Sequence, residues 1–146
     1  MPYKPMTQNP DAAVRAHRER LYSLTLASGV ANIVALVMHL NGASSILLGP
    51  IFGATCGSLI VAGIKGNTDS YYNALVSVGL RWMAFSLGVL LLLLWMQAEA
   101  SIIDRLIPGF EILAKDSFIL ALTLGLFFHG GYAFAFLFDT LRSGKD

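Results

Sequence analysis

The chain has 146 residues, 55% of them hydrophobic and 13% charged, with a formal net charge of +1. That balance excludes a water-soluble fold, because too little polar surface is available to cover one. The single cysteine, Cys56, excludes an intramolecular disulfide and a cysteine metal cluster, and is read as packing.

Residues 1–20 carry Lys4, Arg15, Arg18 and Arg20, interrupted by Asp11 and Glu19. Membrane topology and anionic lipid explain this basic segment better than nucleic acid does. Asn9-Pro10-Asp11 reads as a helix start: Asn caps, Pro takes the first position, and Asp complements the positive dipole end. The first helix is expected to run from Pro10 to Leu40. A cleaved signal peptide is rejected, since the apolar run is long for a signal core. Its exit, His39-Leu40-Asn41-Gly42-Ala43, also puts Asn41 where a small residue is needed.

Four apolar stretches follow, at residues 21–40, 47–64, 82–96 and 118–138. A hydrocarbon core of about 30 Å takes about 20 helical residues, so the spacing predicts an all-α, polytopic membrane protein with four transmembrane helices in one domain. The third stretch is the shortest and is expected to recruit residues 74–81 and Gln97, which sets Arg81 at or inside the inner boundary. Lys4, Arg15, Arg18, Arg20, Lys65, Arg81, Arg142 and Lys145 fall on one side of such a topology. On the other, Glu99, Asp104, Glu111 and Asp116 outweigh Arg105 and Lys115. Basic residues accumulate on the cytoplasmic side, so both termini, including the tail at 139–146, are expected there, in a bacterial inner membrane.

Within the second stretch, Gly49-xxx-Gly53-xxx-Gly57 puts three glycines on one helical face, a glycine zipper that lets another helix approach closely. Small residues recur at helical spacing as Ala27, Ala31 and Ala35 in the first stretch, Ala84 and Gly88 in the third, and Ala121 and Gly125 in the fourth. Packing inside one chain accounts for these stripes; three successive glycines exceed what a four-helix monomer needs and point as much to packing between molecules as within one.

Polar residues at membrane depth are costly unless paired. Ser28, Asn32 and His39 share a face with Ala35, Ser77 and Arg81 share one with Ala84 and Gly88, and His129 continues the Ala121–Gly125 face. A polar seam between helices is the expected result. Two histidines also raise ligation of a haem by both rings. Rise per residue argues against it: His39 and His129 differ in height by about 14 Å, so a second ligand would have to come from a partner subunit. The plain alternative is an interfacial His39 and a hydrogen-bonded His129. Arg81 either snorkels to the cytoplasmic headgroups or pairs with a carboxylate, which another subunit would have to supply because no Asp or Glu lies inside the stretches. The same lack argues against a proton relay.

Residues 98–117 form the outer loop, in which Ile102, Ile103, Leu106, Ile107, Phe110 and Leu113 repeat at helical spacing opposite Asp104, Arg105 and Glu111. An amphipathic interfacial helix is expected, broken at Pro108-Gly109, serving as a lid or as a docking surface. No nucleophile elbow, zinc helix or phosphate loop is present in the sequence, so catalytic residues, a metal and an enzymatic role are not expected.

Leu48-Gly49-Pro50-Ile51-Phe52-Gly53, with Arg81-Trp82 opening the third stretch, resembles the small I subunit encoded with bacterial F-type ATP synthases. The resemblance implies a four-helix membrane protein with an assembly or accessory role and no catalysis. The longer third loop and the length of the link from the glycines to Arg81 depart from that family. A non-catalytic subunit working through helix faces, a self-assembling pore or filament subunit, and a haem-carrying electron-transfer subunit are the three readings that the sequence sustains, with the first preferred.

Overall fold

A computed structural model of the chain describes residues 10–43, 48–64, 69–100, 103 and 107–143. Among these the regular structure is entirely helical: α1 (Pro10–Leu40), α2 (Leu48–Gly63), α3 (Ser70–Ala100), α4 (Glu111–Lys115) and α5 (Ser117–Ser143). Three segments, Glu19–Leu40, Ser70–Glu99 and Ser117–Arg142, are long and apolar enough to cross a membrane. Helix α2 is a shorter apolar helix of 16 residues, or about 24 Å. Its Pro50 falls in the first turn, where a missing N–H breaks no intrahelical bond.

Helix α3 starts well before its apolar run because Asp69 caps it. The Asp69 carboxylate accepts the Tyr72 N–H at 2.7 Å, and its carbonyl accepts that of Asn73 at 3.1 Å. Asp116 does the same for α5, accepting the N–H groups of Phe118 and Ile119 at 2.9 and 3.2 Å. Both carboxylates also hold α1. The Tyr22 hydroxyl donates to Asp69 at 2.6 Å, and the His39 Nε2 lies 2.7 Å from an Asp116 oxygen. Helix α1 is thus fixed at two points, Tyr22 and His39, by side chains that also begin other helices.

The broadest helix contact joins α3 to α5, and α1 packs on both α2 and α5. Glycines let these backbones meet. A Cβ at Gly79 would stand 2.7 Å from the Phe128 carbonyl oxygen, one at Gly131 2.8 Å from the Trp82 ring, one at Gly125 2.9 Å from the Asn32 amide, and one at Gly29 3.1 Å from the His129 Cβ. An apolar core lies toward each end. Tyr72, Leu75, Val76, Phe128 and Tyr132 fill the one near Tyr22, and Leu90, Ile103 and Phe110 the one near His39.

The outer loop supplies two members of that second core. Ile103 and Phe110 are buried against Leu113, Leu120 and Leu124, while Gly109, at φ +86°, turns the chain between them. Residues 104–106 and Ile102 of the expected interfacial helix lie outside the described residues. Large apolar side chains cover the outside of the bundle, with Phe85 72% and Leu141 70% exposed. Asn32, Thr25, Ser28 and His129 are buried at the same time. Apolar outside and polar within is an arrangement that lipid favours and water does not.

Candidate functional site

The buried polar side chains form a seam between the two apolar cores. At its centre is His129, 5% exposed, whose Nδ1 lies 2.8 Å from the Gly125 carbonyl oxygen and Nε2 3.0 Å from the Ser58 hydroxyl. A carbonyl only accepts, so Nδ1 carries the proton and Nε2 of the neutral ring is an acceptor; the single Ser58 hydroxyl proton is shared between Nε2 and the Thr55 carbonyl, 2.8 Å away. Both ring nitrogens are engaged. Ser58 belongs to α2, which makes His129 the polar tie from α5 to that helix.

Around it, the Ser28 hydroxyl reaches the Leu24 carbonyl at 2.8 Å and crosses to the Ala54 carbonyl of α2 at 3.1 Å. The Asn32 amide donates to the Leu122 carbonyl of α5 at 3.0 Å, leaving its Oδ1 buried without a hydrogen bond. Thr25 and Tyr72 share a hydroxyl–hydroxyl bond of 3.0 Å, joining α1 to α3. Three of the expected polar residues, Ser28, Asn32 and His129, therefore meet in one seam. His39 does not join them. His129 packs on Gly29, ten residues before His39 in the chain, so the two imidazoles stand about 15 Å apart along α1.

At its own end of the bundle, His39 sits against the Phe118 ring as well as Asp116. Its hydrogen bond is the leading cause that holds the Asp116 carboxyl below the ordinary carboxylate range, with the Ile119 N–H next. A carboxylate lowered in this way adds stability above its unfolded value of about 4 and loses it as pH falls through the lower folded value. Asp116→Asn should accordingly reduce the melting temperature in detergent at pH 7, and the gap from the native chain should shrink in acid below pH of about 4. An equal gap at both pH values would refute the linkage.

The small-residue positions divide into two groups. Gly125 is consumed inside, against Asn32. Gly49 and Gly53 are exposed and Gly57 is half-buried, and a Cβ added at any of the three would meet nothing within 4 Å. Ala84, Gly88 and Ala121 are exposed too, and Gly88 is likewise open. Gly53 and Gly57 border a groove of about 230 Å³ between α1 and α2, with Thr25 and Ser28 in its wall.

Arg81 is exposed. It lies within the candidate span, twelve residues after Asp69, which starts α3. The contacts of Gly79 with Phe128 and of Trp82 with Gly131 bracket its level on α5. Phe128 lies twelve residues from Asp116 and eleven from Asp139, about 18 and 16 Å along the helix. Arg81 therefore sits midway up the bundle, farther from either end than its side chain extends. An arginine at a bilayer centre costs about 2.5–3.5 kcal/mol on insertion scales, and such residues mark functional contacts.

Sequence reasoning missed the helix-starting roles of Asp69 and Asp116, the hydroxyls of Thr25, Thr55, Ser58 and Tyr72, and the close-packed Gly29, Gly79 and Gly131. The signal for Asp69 is present, an Asp directly before the helix-forming run of Ser70-Tyr71-Tyr72. Ser58 gives a weaker one: it follows Thr55 at i+3 on α2, and both are buried. Among the described residues no group of three His, Cys, Asp or Glu side chains gathers to hold a metal. No protein-family model, curated protein or solved structure matches the chain.

Proposed function

We propose that this chain is a non-catalytic integral membrane subunit or assembly factor, which binds other membrane subunits through small-residue helix faces. The observation that carries the reading is the division among the glycines. Gly29, Gly79, Gly125 and Gly131 are used where helices of this chain touch, whereas a Cβ at Gly49, Gly53 or Gly57 would meet nothing within 4 Å, and Gly53 and Gly57 open onto the groove beside α1. A close-approach surface left open is suited to a helix from elsewhere. The resemblance to the I subunit of F-type ATP synthases belongs with this proposal, as an accessory role beside a larger machine.

In this reading α2 is a fourth span, with both termini cytoplasmic and the bacterial inner membrane as the location. Two contacts support the span despite its length: Phe52 stacks edge-on to Phe118 at 4.7 Å near one end, and Leu59 and Ala62 pack on the Tyr72 core near the other. The six basic residues Lys4, Arg15, Arg18, Arg20, Arg142 and Lys145 in the N-terminal segment and tail support the orientation.

Mild-detergent purification of the tagged chain, with mass spectrometry and a visible spectrum of the same sample, tests the proposal. Stoichiometric foreign membrane subunits are the expected result. A colourless homo-oligomer would overturn it in favour of a pore or filament, and a Soret band would favour the haem reading. Gly53→Leu should cut recovery of the foreign subunits at least about tenfold, since 1.4 kcal/mol of lost helix packing suffices for that factor. Unchanged recovery would show that the glycine face is not the contact.

A further inference from the structure

We infer that Arg81 is a second docking point, at which the guanidinium pairs inside the membrane with an Asp or Glu on a transmembrane helix of a different polypeptide. The inference rests on the subunit reading above and adds the chemistry of one partner. Arg81 is exposed on α3 at mid-height, and no ion pair or hydrogen bond to it occurs among the described residues. A cation held there by a rigid helix, away from either end, lacks water and headgroups to solvate it, so a fixed anion is its natural complement.

The surface around Arg81 suits a helix. Ala84 and Gly88 follow it at i+3 and i+7, both are exposed, and a Cβ at Gly88 would meet nothing within 4 Å. Phe85, 72% exposed, stands beside them. Small residues next to the charge let a second backbone come near enough for a short acidic side chain to reach it, with Phe85 flanking the contact.

A second copy of this chain does not supply the anion. Glu19, Asp69, Glu99, Glu111, Asp116 and Asp139 lie at or beyond the ends of the apolar helices, and no Asp or Glu occurs at residues 20–40, 48–63, 70–98 or 117–138. Copies placed side by side in either direction would bring only apolar side chains and another Arg81 to this depth. The partner is therefore foreign, and its acidic residue lies near the middle of a span.

The test replaces Phe85 with the photo-crosslinking residue p-benzoylphenylalanine in the full chain and irradiates native membranes, with the same substitution at exposed Val30 as the control site. The expected adduct from Phe85 maps to a transmembrane segment of another protein, with an Asp or Glu within one turn of the crosslinked residue. Arg81→Gln should lower its yield at least tenfold, Arg81→Lys should retain most of it, and changing the partner's acid to its amide should match the loss. Adducts only with lipid or with this chain, a partner segment lacking an acid, or a yield indifferent to Arg81→Gln would overturn the inference. Should Arg81→Gln fail to accumulate, the adduct formed with Arg81 in place and its loss on amidating the partner decide the matter. Foreign subunits that co-purify but never crosslink from Phe85 would defeat this docking point alone, whereas the absence of any foreign subunit would defeat the subunit reading as well.

Discussion

Gly79→Ala is expected to destabilise the purified chain by about 2 kcal/mol, against a background in which most Gly→Ala changes in helices stabilise. The added methyl would stand 2.7 Å from the Phe128 carbonyl oxygen and 3.0 Å from its ring, and the nearer of these is backbone that cannot rotate away. Only separation of α3 from α5 makes room, and that is the broadest helix contact in the bundle. Gly53→Ala provides the matched control. It adds the same methyl to open space, so the gain in helix propensity, up to about 1 kcal/mol, should appear unopposed. Unfolding in mixed micelles titrated with SDS, followed by circular dichroism, would show midpoints moving in opposite directions. A common direction would mean that α3 and α5 do not approach as described.

His129→Ala should cost about 2–3 kcal/mol, the sum of a cavity beside Gly29 and the loss of a hydrogen bond within the membrane, which averages about 0.6 kcal/mol. The loss should not be uniform. Helix α2 is held to the rest chiefly through α1 and has two polar crossings, Ser28 to the Ala54 carbonyl and Ser58 to His129. Removing the second leaves α2 attached to α1 alone on its polar side. Amide exchange should therefore quicken across residues 54–62 while the middle of α3, held by Gly79 and Trp82 against α5, changes little. Equal acceleration in both helices would show that His129 supports the bundle as a whole.

The helical class was legible because apolar runs of membrane length admit few other structures, and the three long spans follow from that constraint. The seam was half legible. Ser28, Asn32 and His129 stand out as polar letters in apolar runs, yet their partners are carbonyls and hydroxyls that carry no sequence signature. The start of helix α3 was not legible, because hydropathy dates a span from its apolar residues, whereas the helix begins at its cap, Asp69. Likewise the glycine triplet stands out by periodicity, but the glycines at which α1, α3 and α5 meet include the unpatterned Gly29 and Gly79, whose role depends on what faces them. Periodicity identifies a surface; only the fold identifies its occupant.

The two carboxylate ties on α1 set a length as well as a position. Tyr22 and His39 are seventeen residues apart, so the strut between them measures about 26 Å, several ångströms less than a typical hydrocarbon core of about 30 Å. A helix tied at these two points cannot tilt independently of α3 and α5, so it meets the bilayer as part of one body. The unfolding midpoint measured across vesicles of graded acyl-chain length should therefore show a single optimum of thickness for the whole bundle.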